Sequence, residues 1–372
     1  RLDVASSFLQ PSPGRVVPPR VLWVDEASFP MIVHTSIATT SDAASWEQAL
    51  VDAVDFLTAG QVVALPSETV YGLAADALDR KAVARIFEAK GRPSTNPLIV
   101  HVADEGMLET CAASWCSIAA LLAKHFWPGP LTLVMPKKPI IPDEVTAGLN
   151  SVALRWPSHP LMQAVIQRFQ GPLAAPSANL SNRLSPTSAE QVGAQLQGKI
   201  PLIVDGGSCS VGIESTVVDL TGSIPTILRP GVIHRGVLSA LVPSIQMASG
   251  VMDPDEGLAQ RSPGQHRQHY APEASLRVCR WEDEPSLLGR MEHEGLDPAK
   301  TCVFCHERFP SSPPFMRVSV IPNDPEAYAR ALYAELFQCD QLRPQSILVE
   351  DPPSKEAWDG VRDRLQRAAS GW

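Results

Sequence analysis

The chain predicts an α/β protein made of a larger domain on a twisted mixed sheet and a smaller Rossmann-like α/β domain. Three observations carry that expectation. Short apolar runs alternate with segments of helical period along most of the 372 residues. Several of those runs follow one another with no helix between them, which a purely parallel sheet does not allow. The alternation stops near residue 240 and resumes near 273.

The elements follow in order. Residues 1–40 are rich in proline and serine with weak periodicity and read as a loosely ordered extension. Arg1, Arg15 and Arg20 leave room for an organellar presequence within residues 1–30, against which Asp3, Asp25 and Glu26 count. From Ser45 to Leu57, Trp46, Ala49, Leu50, Ala53, Val54 and Leu57 trace a helical face, and Gly60 stands where a C-terminal cap would. Val62–Leu65 is a short strand stopped by Pro66. Asp79–Lys90 is a helix with Ala82, Val83, Ile86 and Phe87 on one side, and Leu98–Val102 a buried strand. Strands near 131–135, 151–155, 172–176, 201–204, 215–220 and 226–229 and helices near 115–126, 158–169 and 187–197 complete a domain over 41–240. Residues 241–272 read as a linker. The second domain, 273–372, alternates strand 275–279, helix 284–293, strands 301–304 and 316–320, helix 325–339, strand 346–350 and helix 355–369.

Composition narrows the function. Hydrophobic residues make up 44% and charged residues 19%, an ordinary globular balance. Thirty-one basic against 40 acidic residues leave a net charge of −9, which excludes a basic nucleic-acid coat but not a local basic cleft. The second domain carries 17 acids against 12 bases and is a poor phosphate or RNA surface. Seven cysteines, an odd count at irregular spacing, argue for a reducing compartment, here the cytoplasm. No apolar run is long enough to span a membrane.

The chemistry gathers at strand ends of the first domain. Pro66-Ser67-Glu68-Thr69-Val70-Tyr71-Gly72-Leu73 packs hydroxyls, a carboxylate and a phenol into one turn; alone it is no more than a turn. Lys90 and Arg92 leave a helix two residues apart, so both heads can converge on one anion, or simply complement the helix dipole. Ser177 and Asn179 follow the small residues of Ala174-Ala175-Pro176. Arg155 stands among apolar residues in a strand and needs a carboxylate or phosphate partner; a structural ion pair is the rival. Cys302-x-x-Cys305-His306 has metal or haem spacing but lies inside an apparent strand, which favours a structural role.

Taken together, these residues resemble the threonylcarbamoyl-AMP synthases, the YrdC-like family, in its two-domain form. Pro66–Leu73, Ile86–Pro97, Trp127–Thr132, Val152–Pro157, Ala174–Asn179, Ser185–Thr187, Asp205–Gly207, Glu214–Val217 and Leu228–Gly231 recur in the family's order across about 45–235. Ala331-Leu332-Tyr333, Arg364-Leu365 and the linker's Ser262-Pro263-Gly264 and His269-Tyr270-Ala271-Pro272 extend the likeness to the second domain. The family makes threonylcarbamoyl-AMP and pyrophosphate from L-threonine, bicarbonate and ATP with Mg2+ on the phosphates. A separate transferase complex then attaches the threonylcarbamoyl group to tRNA.

The resemblance implies a polar catalytic set of Lys90, Arg92, Ser177 and Asn179. It implies L-threonine at Thr69, His101, Arg155, the backbone at Ala175, and Ser215. It places ATP at Arg92, Asn96, Ser151, Ser177, Ser185, Arg229 and Tyr270, and implies no direct side-chain ligand for the metal. The linker 262–272 would be a lid over the site. This chain departs from the family at Ser67, Ala74 and Gln265–Gln268. A non-catalytic RNA-binding protein, contacting tRNA or double-stranded RNA through the same cleft, is the alternative from another class. A carbamoyl-transfer enzyme of the hydrogenase-maturation type is another, but it would bring acylphosphatase and paired Cys-x-x-Cys segments that this sequence lacks.

Overall fold

The computed structural model describes residues 35–248, 270–311 and 314–369. Residues 262–269 of the expected lid 262–272, and the extension up to residue 34, lie outside the described residues.

The first domain is built on one sheet of 11 strands. In chain order these are β1 (Ser36–Thr39), β2 (Val63–Leu65), β3 (Gly72–Asp76), β4 (Ile99–His101), β5 (Leu131–Pro136), β6 (Ser151–Arg155), β7 (Leu173–Ala174), β8 (Leu202–Asp205), β9 (Thr216–Asp219), β10 (Thr226–Arg229) and β11 (Gln246–Met247). They lie side by side as β1-β8-β2-β3-β7-β4-β6-β5-β9-β10-β11. The sheet is mixed, as expected: β2 and β3 are antiparallel, β4 and β6 parallel, β5 and β6 antiparallel. Helices α1 (Ala43–Thr58), α2 (Arg80–Lys90), α3 (Glu105–Cys111), α4 (Ser117–Phe126), α5 (Asp143–Thr146), α6 (Pro160–Phe169), α7 (Ala189–Leu196) and α8 (Arg235–Leu241) connect or flank the strands.

The helices form where the sequence caps them. The Asp79 side chain accepts from the backbone N–H of Lys81 at the start of α2, and Gly91, with φ of 59°, ends it in the left-handed region. Ala82, Val83, Ile86 and Phe87 are buried in the main core, as their spacing predicts.

The second domain has a parallel four-stranded sheet, β12 (Ser275–Cys279), β13 (Thr301–Cys305), β14 (Arg317–Val320) and β15 (Ser346–Glu350), in the order β12-β15-β13-β14. Helices α9 (Glu284–His293), α10 (Pro325–Gln341) and α11 (Asp359–Ala369) complete it. Cys302 and Cys305 sit three apart in β13, so their side chains take opposite faces: Cys302 belongs to one apolar core and Cys305 to another. They cannot share one metal or one haem.

Some elements differ from expectation. Ser36–Thr39, inside the stretch read as an extension, pairs in parallel with β8 as an edge strand. Four residues, Ser-Ile-Ala-Thr, show too little alternation to reveal a strand. β3 begins inside the motif read as a turn. α3 and α8 are seven residues each, too short for a helical period to stand out. No described helix is long and apolar enough to cross a membrane.

The two domains share a core. Val70, Leu184 and Ile213 of the first pack with Tyr270, Leu276, Leu332, Tyr333, Trp358, Val361 and Leu365. Glycine permits the closest approaches. A Cβ on Gly212, whose φ is 86°, would lie 2.4 Å from Arg330 Cα in α10, and one on Gly360 in α11 would lie 2.9 Å from the backbone of Gly231.

Candidate active site

The turns that carry the expected residues meet at strand ends of the large sheet. β4 and β6 are neighbours in parallel register, with His101 opposite Arg155. β7 ends beside them and delivers Ala175 to Ser177. The turn after β2 brings Ser67 to Thr69. The turn before β9 brings Glu214 and Ser215, and β10 ends in Arg229. Thr69, Arg92, His101, Arg155, Ala175, Ser177, Ser215, Arg229 and Tyr270 line one narrow cavity, together with Ser67 and Glu214. Nine of the expected site residues therefore meet. Lys90, Asn96, Ser151, Asn179 and Ser185 do not line the cavity: Lys90 and Asn179 bind the Ser177 loop, Ser185 binds Glu214, Asn96 sits in the loop after Arg92, and Ser151 starts β6 at the end opposite Arg155.

Side-chain hydrogen bonds hold these turns together. Tyr71 donates its hydroxyl to the Gly207 carbonyl at 2.7 Å and accepts from the Gly206 N–H at 3.2 Å, which ties the first motif to the Asp205–Gly207 turn. Ser67 Oγ donates to the Val70 carbonyl at 2.6 Å and lies 2.9 Å from Thr69 Oγ1. Ser215 Oγ lies 2.7 Å from Thr132 Oγ1 and accepts from Arg229 Nη2 at 3.1 Å, so Arg229 and Ser215 are mutually oriented.

The cations differ in their surroundings. Lys90 is buried, and its ammonium donates to the Ser177 carbonyl, to the Asn179 carbonyl at 2.6 Å and to Asn179 Oδ1 at 3.1 Å. Ser177 Oγ donates to Asn179 Oδ1 at 2.6 Å. Lys90, Ser177 and Asn179 thus form one hydrogen-bonded unit, and the Lys90 head turns to that loop rather than alongside Arg92. Burial, and then the charge of Arg92, pull the Lys90 pKa well down. Three acceptors nevertheless match the three N–H bonds of an ammonium, which favours the charged form.

Arg92 points into the cavity. It is 8% exposed, donates from Nη2 to the Pro97 carbonyl at 3.1 Å, and has no partner for its Nε. Among the described residues no carboxylate pairs with it. Burial pulls its pKa down to about 10, with the nearby Arg229 adding to the fall. An anion is what such a buried guanidinium lacks.

Arg155 meets Glu68 at 2.8 Å, and both are nearly fully buried. The contact lies off the hydrogen-bond axis, since neither Arg155 Nη2 nor the Glu68 oxygens have a well-directed partner. Burial alone would raise the Glu68 pKa; Arg155 overrides it and holds the carboxyl below its ordinary value. His101 is neutral, because burial and then Arg155 push its pKa down to about 3. The Ala175 N–H donates to the Ile99 carbonyl at 2.9 Å, so that donor already has a partner.

Three contributors were not legible as site residues. Glu214 is an acid lining a cleft otherwise read as cationic, Glu68 adjoins that cleft through Arg155, and each is paired with an arginine. Arg364 reaches Glu214 from the second domain. Tyr270, expected on the lid, is buried between Tyr333 and Arg364. The Glu68 and Glu214 carboxylates are both tied to arginines and neither is free to hold a metal. His306, Glu307 and Glu350 lie close enough to hold a metal in the second domain, but Glu350 already accepts the backbone N–H groups of residues 306–308 and the Arg308 guanidinium.

Residues 55–231 match the family model described as "Telomere recombination", and residues 234–370 match the one described as "Threonylcarbamoyl-AMP synthase, C-terminal domain". The second match starts before the expected linker, at the approach to α8. The chain is 39% identical over 323 residues to the threonylcarbamoyl-AMP synthase of Pyrococcus abyssi, covering 85% of this chain and 93% of that one. It is 39% identical over 339 residues to that of Bacillus subtilis, covering 90% and 97%. The crystal structure of Pyrococcus abyssi Sua5 complexed with L-threonine superposes with a TM-score of 0.81 at 37% identity, over 90% of this chain and 97% of that one. With likeness running through both domains and over nearly the whole of its relatives, the chain belongs to the threonylcarbamoyl-AMP synthase family.

Proposed function

We propose that this chain is an L-threonylcarbamoyladenylate synthase, a nucleotidyltransferase that makes threonylcarbamoyl-AMP and pyrophosphate from L-threonine, bicarbonate and ATP for tRNA modification. The observation that carries the reading is Arg92, a buried guanidinium with no acid partner among the described residues, facing the same cavity as Arg155, His101 and Ser215. A phosphate-binding group and an amino-acid-binding group share one small space. Membership of a family whose relatives bear this name supports it, as does a related structure that holds L-threonine.

The residues divide the work. Arg155 offers its guanidinium to the threonine carboxylate, which competes with or joins Glu68 there. Thr69 and Ser215 present hydroxyls to the polar end of the amino acid, with neutral His101 and the Ala175 backbone beside them. The amine adds to CO2 derived from bicarbonate and forms a carbamate. A carbamate oxygen then attacks the α-phosphorus, forming the P–O bond while the bond to pyrophosphate breaks. Negative charge builds on the phosphate oxygens, where Arg92 and Arg229 act directly and Lys90 through its nearby charge. Ser177, Asn179, Asn96, Ser151 and Ser185 orient the nucleotide or the loops that hold it. Mg2+ supplies further neutralisation of the phosphates. No protein nucleophile is needed. Walls this buried also keep water from a labile carbamate and adenylate.

The product would pass to a separate transferase complex, with any tRNA contact made through it, in the cytoplasm. A purely RNA-binding role finds no support, because the cleft is narrow and buried rather than an open basic face. Pyrophosphate release across a panel of amino acids, with and without bicarbonate, tests the reading. Threonine and bicarbonate should both be required. Equal activity with alanine, or release of orthophosphate instead, would sink it.

A further inference from the structure

Glu214 is a buried acid in a cleft that must receive a triphosphate. Left to itself it would repel the substrate or occupy its seat. It lines the same cavity as Arg92 and Arg229, and the charges of Lys90 and Arg229 act on it, so the groups that would bind phosphate are its neighbours.

The second domain supplies what restrains it. Arg364 on α11 is fully buried, and its Nε donates to Glu214 Oε2 at 2.7 Å. Its Nη2 donates to the Glu214 carbonyl at 3.1 Å and its Nη1 to the Pro230 carbonyl at 2.8 Å. One guanidinium therefore fixes both turns that carry Ser215 and Arg229. The same carboxylate accepts the Tyr333 hydroxyl at 3.1 Å and the Ser185 hydroxyl at 2.5 Å. Tyr270 lies under the Arg364 guanidinium, 5.3 Å from its carbon to the ring centre. Asp363, also in contact with Arg364, has Arg367 as a second partner.

We propose that Arg364 is a positioning residue for the nucleotide site, holding the Glu214 carboxylate back from the phosphate-binding arginines. The second domain is then part of the active site and not an appendage. Gly231 and Gly360 meet where α11 crosses the turn after β10, and that close approach sets the reach of Arg364. The proposal rests on ATP binding at Arg92 and Arg229.

Without Arg364 the carboxylate is released towards those arginines and competes with phosphate. Threonine would lie at the Arg155 end of the cavity, touching the Ser215 hydroxyl of that turn but not the Glu214 carboxylate, so its constant should move less. The Michaelis constants should therefore separate. Arg364→Met should raise KM for ATP at least about tenfold and leave KM for threonine within about twofold. The double variant Arg364→Met/Glu214→Gln removes the released charge while keeping an oxygen for Ser185 and Tyr333. It should bring KM for ATP back to within about threefold of wild type. If Arg364→Met does not fold, Arg364→Lys keeps the charge with fewer donors and should show the same separation in milder form.

A parallel rise in both constants, or a double variant no better than the single one, overturns the proposal and leaves Arg364 a purely structural residue. The wild-type protein is the control for the underlying reading. If it releases no pyrophosphate from ATP, threonine and bicarbonate, the functional assignment fails; if it does and the constants still move together, only the role of Arg364 fails.

Discussion

Glu68 and Arg155 meet at 2.8 Å, with side chains only 6% and 5% exposed, although Glu68 lies in the turn after β2 and Arg155 ends β6. Arg155 lines the cavity that the amino acid would enter, and its contact with Glu68 is loose in geometry. A charged pair removed from water is worth keeping only when each charge has company, so the loss of one partner leaves the other exposed to a large desolvation cost.

That relationship gives the first prediction. Glu68→Gln leaves Arg155 buried without its acid. The unliganded protein should lose about 3 kcal/mol of stability, and L-threonine, whose carboxylate replaces the missing one, should restore part of it. Thermal-shift measurements should show a larger upward shift on adding threonine to Glu68→Gln than to wild type. An equal or smaller shift would place the threonine carboxylate elsewhere.

His101 sets a pH dependence of stability. Its pKa falls to about 3 in the folded protein because burial and Arg155 oppose its charge, while an unfolded histidine titrates near about 6.5. Between those values the unfolded state binds more protons, so stability falls as pH drops from about 6.5 towards 4. The slope from this residue approaches about 1.4 kcal/mol per pH unit. Denaturant unfolding of wild type and His101→Gln at pH 7, 6, 5 and 4 measures it; parallel curves for the two proteins would contradict the assignment.

Arg92→Ala should lower turnover at least about tenfold, since one charge contact made in the transition state is worth a few kcal/mol. It should also fold, because it removes a buried charge that lacks an acid partner among the described residues. Circular dichroism and pyrophosphate release on the same preparation check both halves. Wild-type turnover in a folded variant would remove Arg92 from the chemistry.

Gly212→Ala tests the seam between the domains. Its φ of 86° disfavours any side chain, and a Cβ would lie 2.4 Å from Arg330 Cα. The two effects together should cost at least about 2 kcal/mol. A denaturation midpoint unchanged from wild type would show that the seam is loose.

Elements whose cause is local were legible in the chain before it folded. Strands 151–155, 226–229, 275–279 and 346–350 and helix 284–293 form over the residues that their apolar pattern marks. Lys90, Arg92, Ser177 and Asn179 could be picked out because the chemistry of each turn is written in consecutive residues. Tertiary structure decided the rest, and the reason is separation along the chain. β7 is a two-residue strand defined by its neighbours β3 and β4 rather than by any period of its own. Whether Lys90 faces phosphate or the 177–179 carbonyls depends on how close α2 lies to β7, which no spacing encodes. Arg364 and Glu214 are 150 residues apart, and their ion pair exists because a shared apolar core and two facing glycines press α11 against the turn after β10.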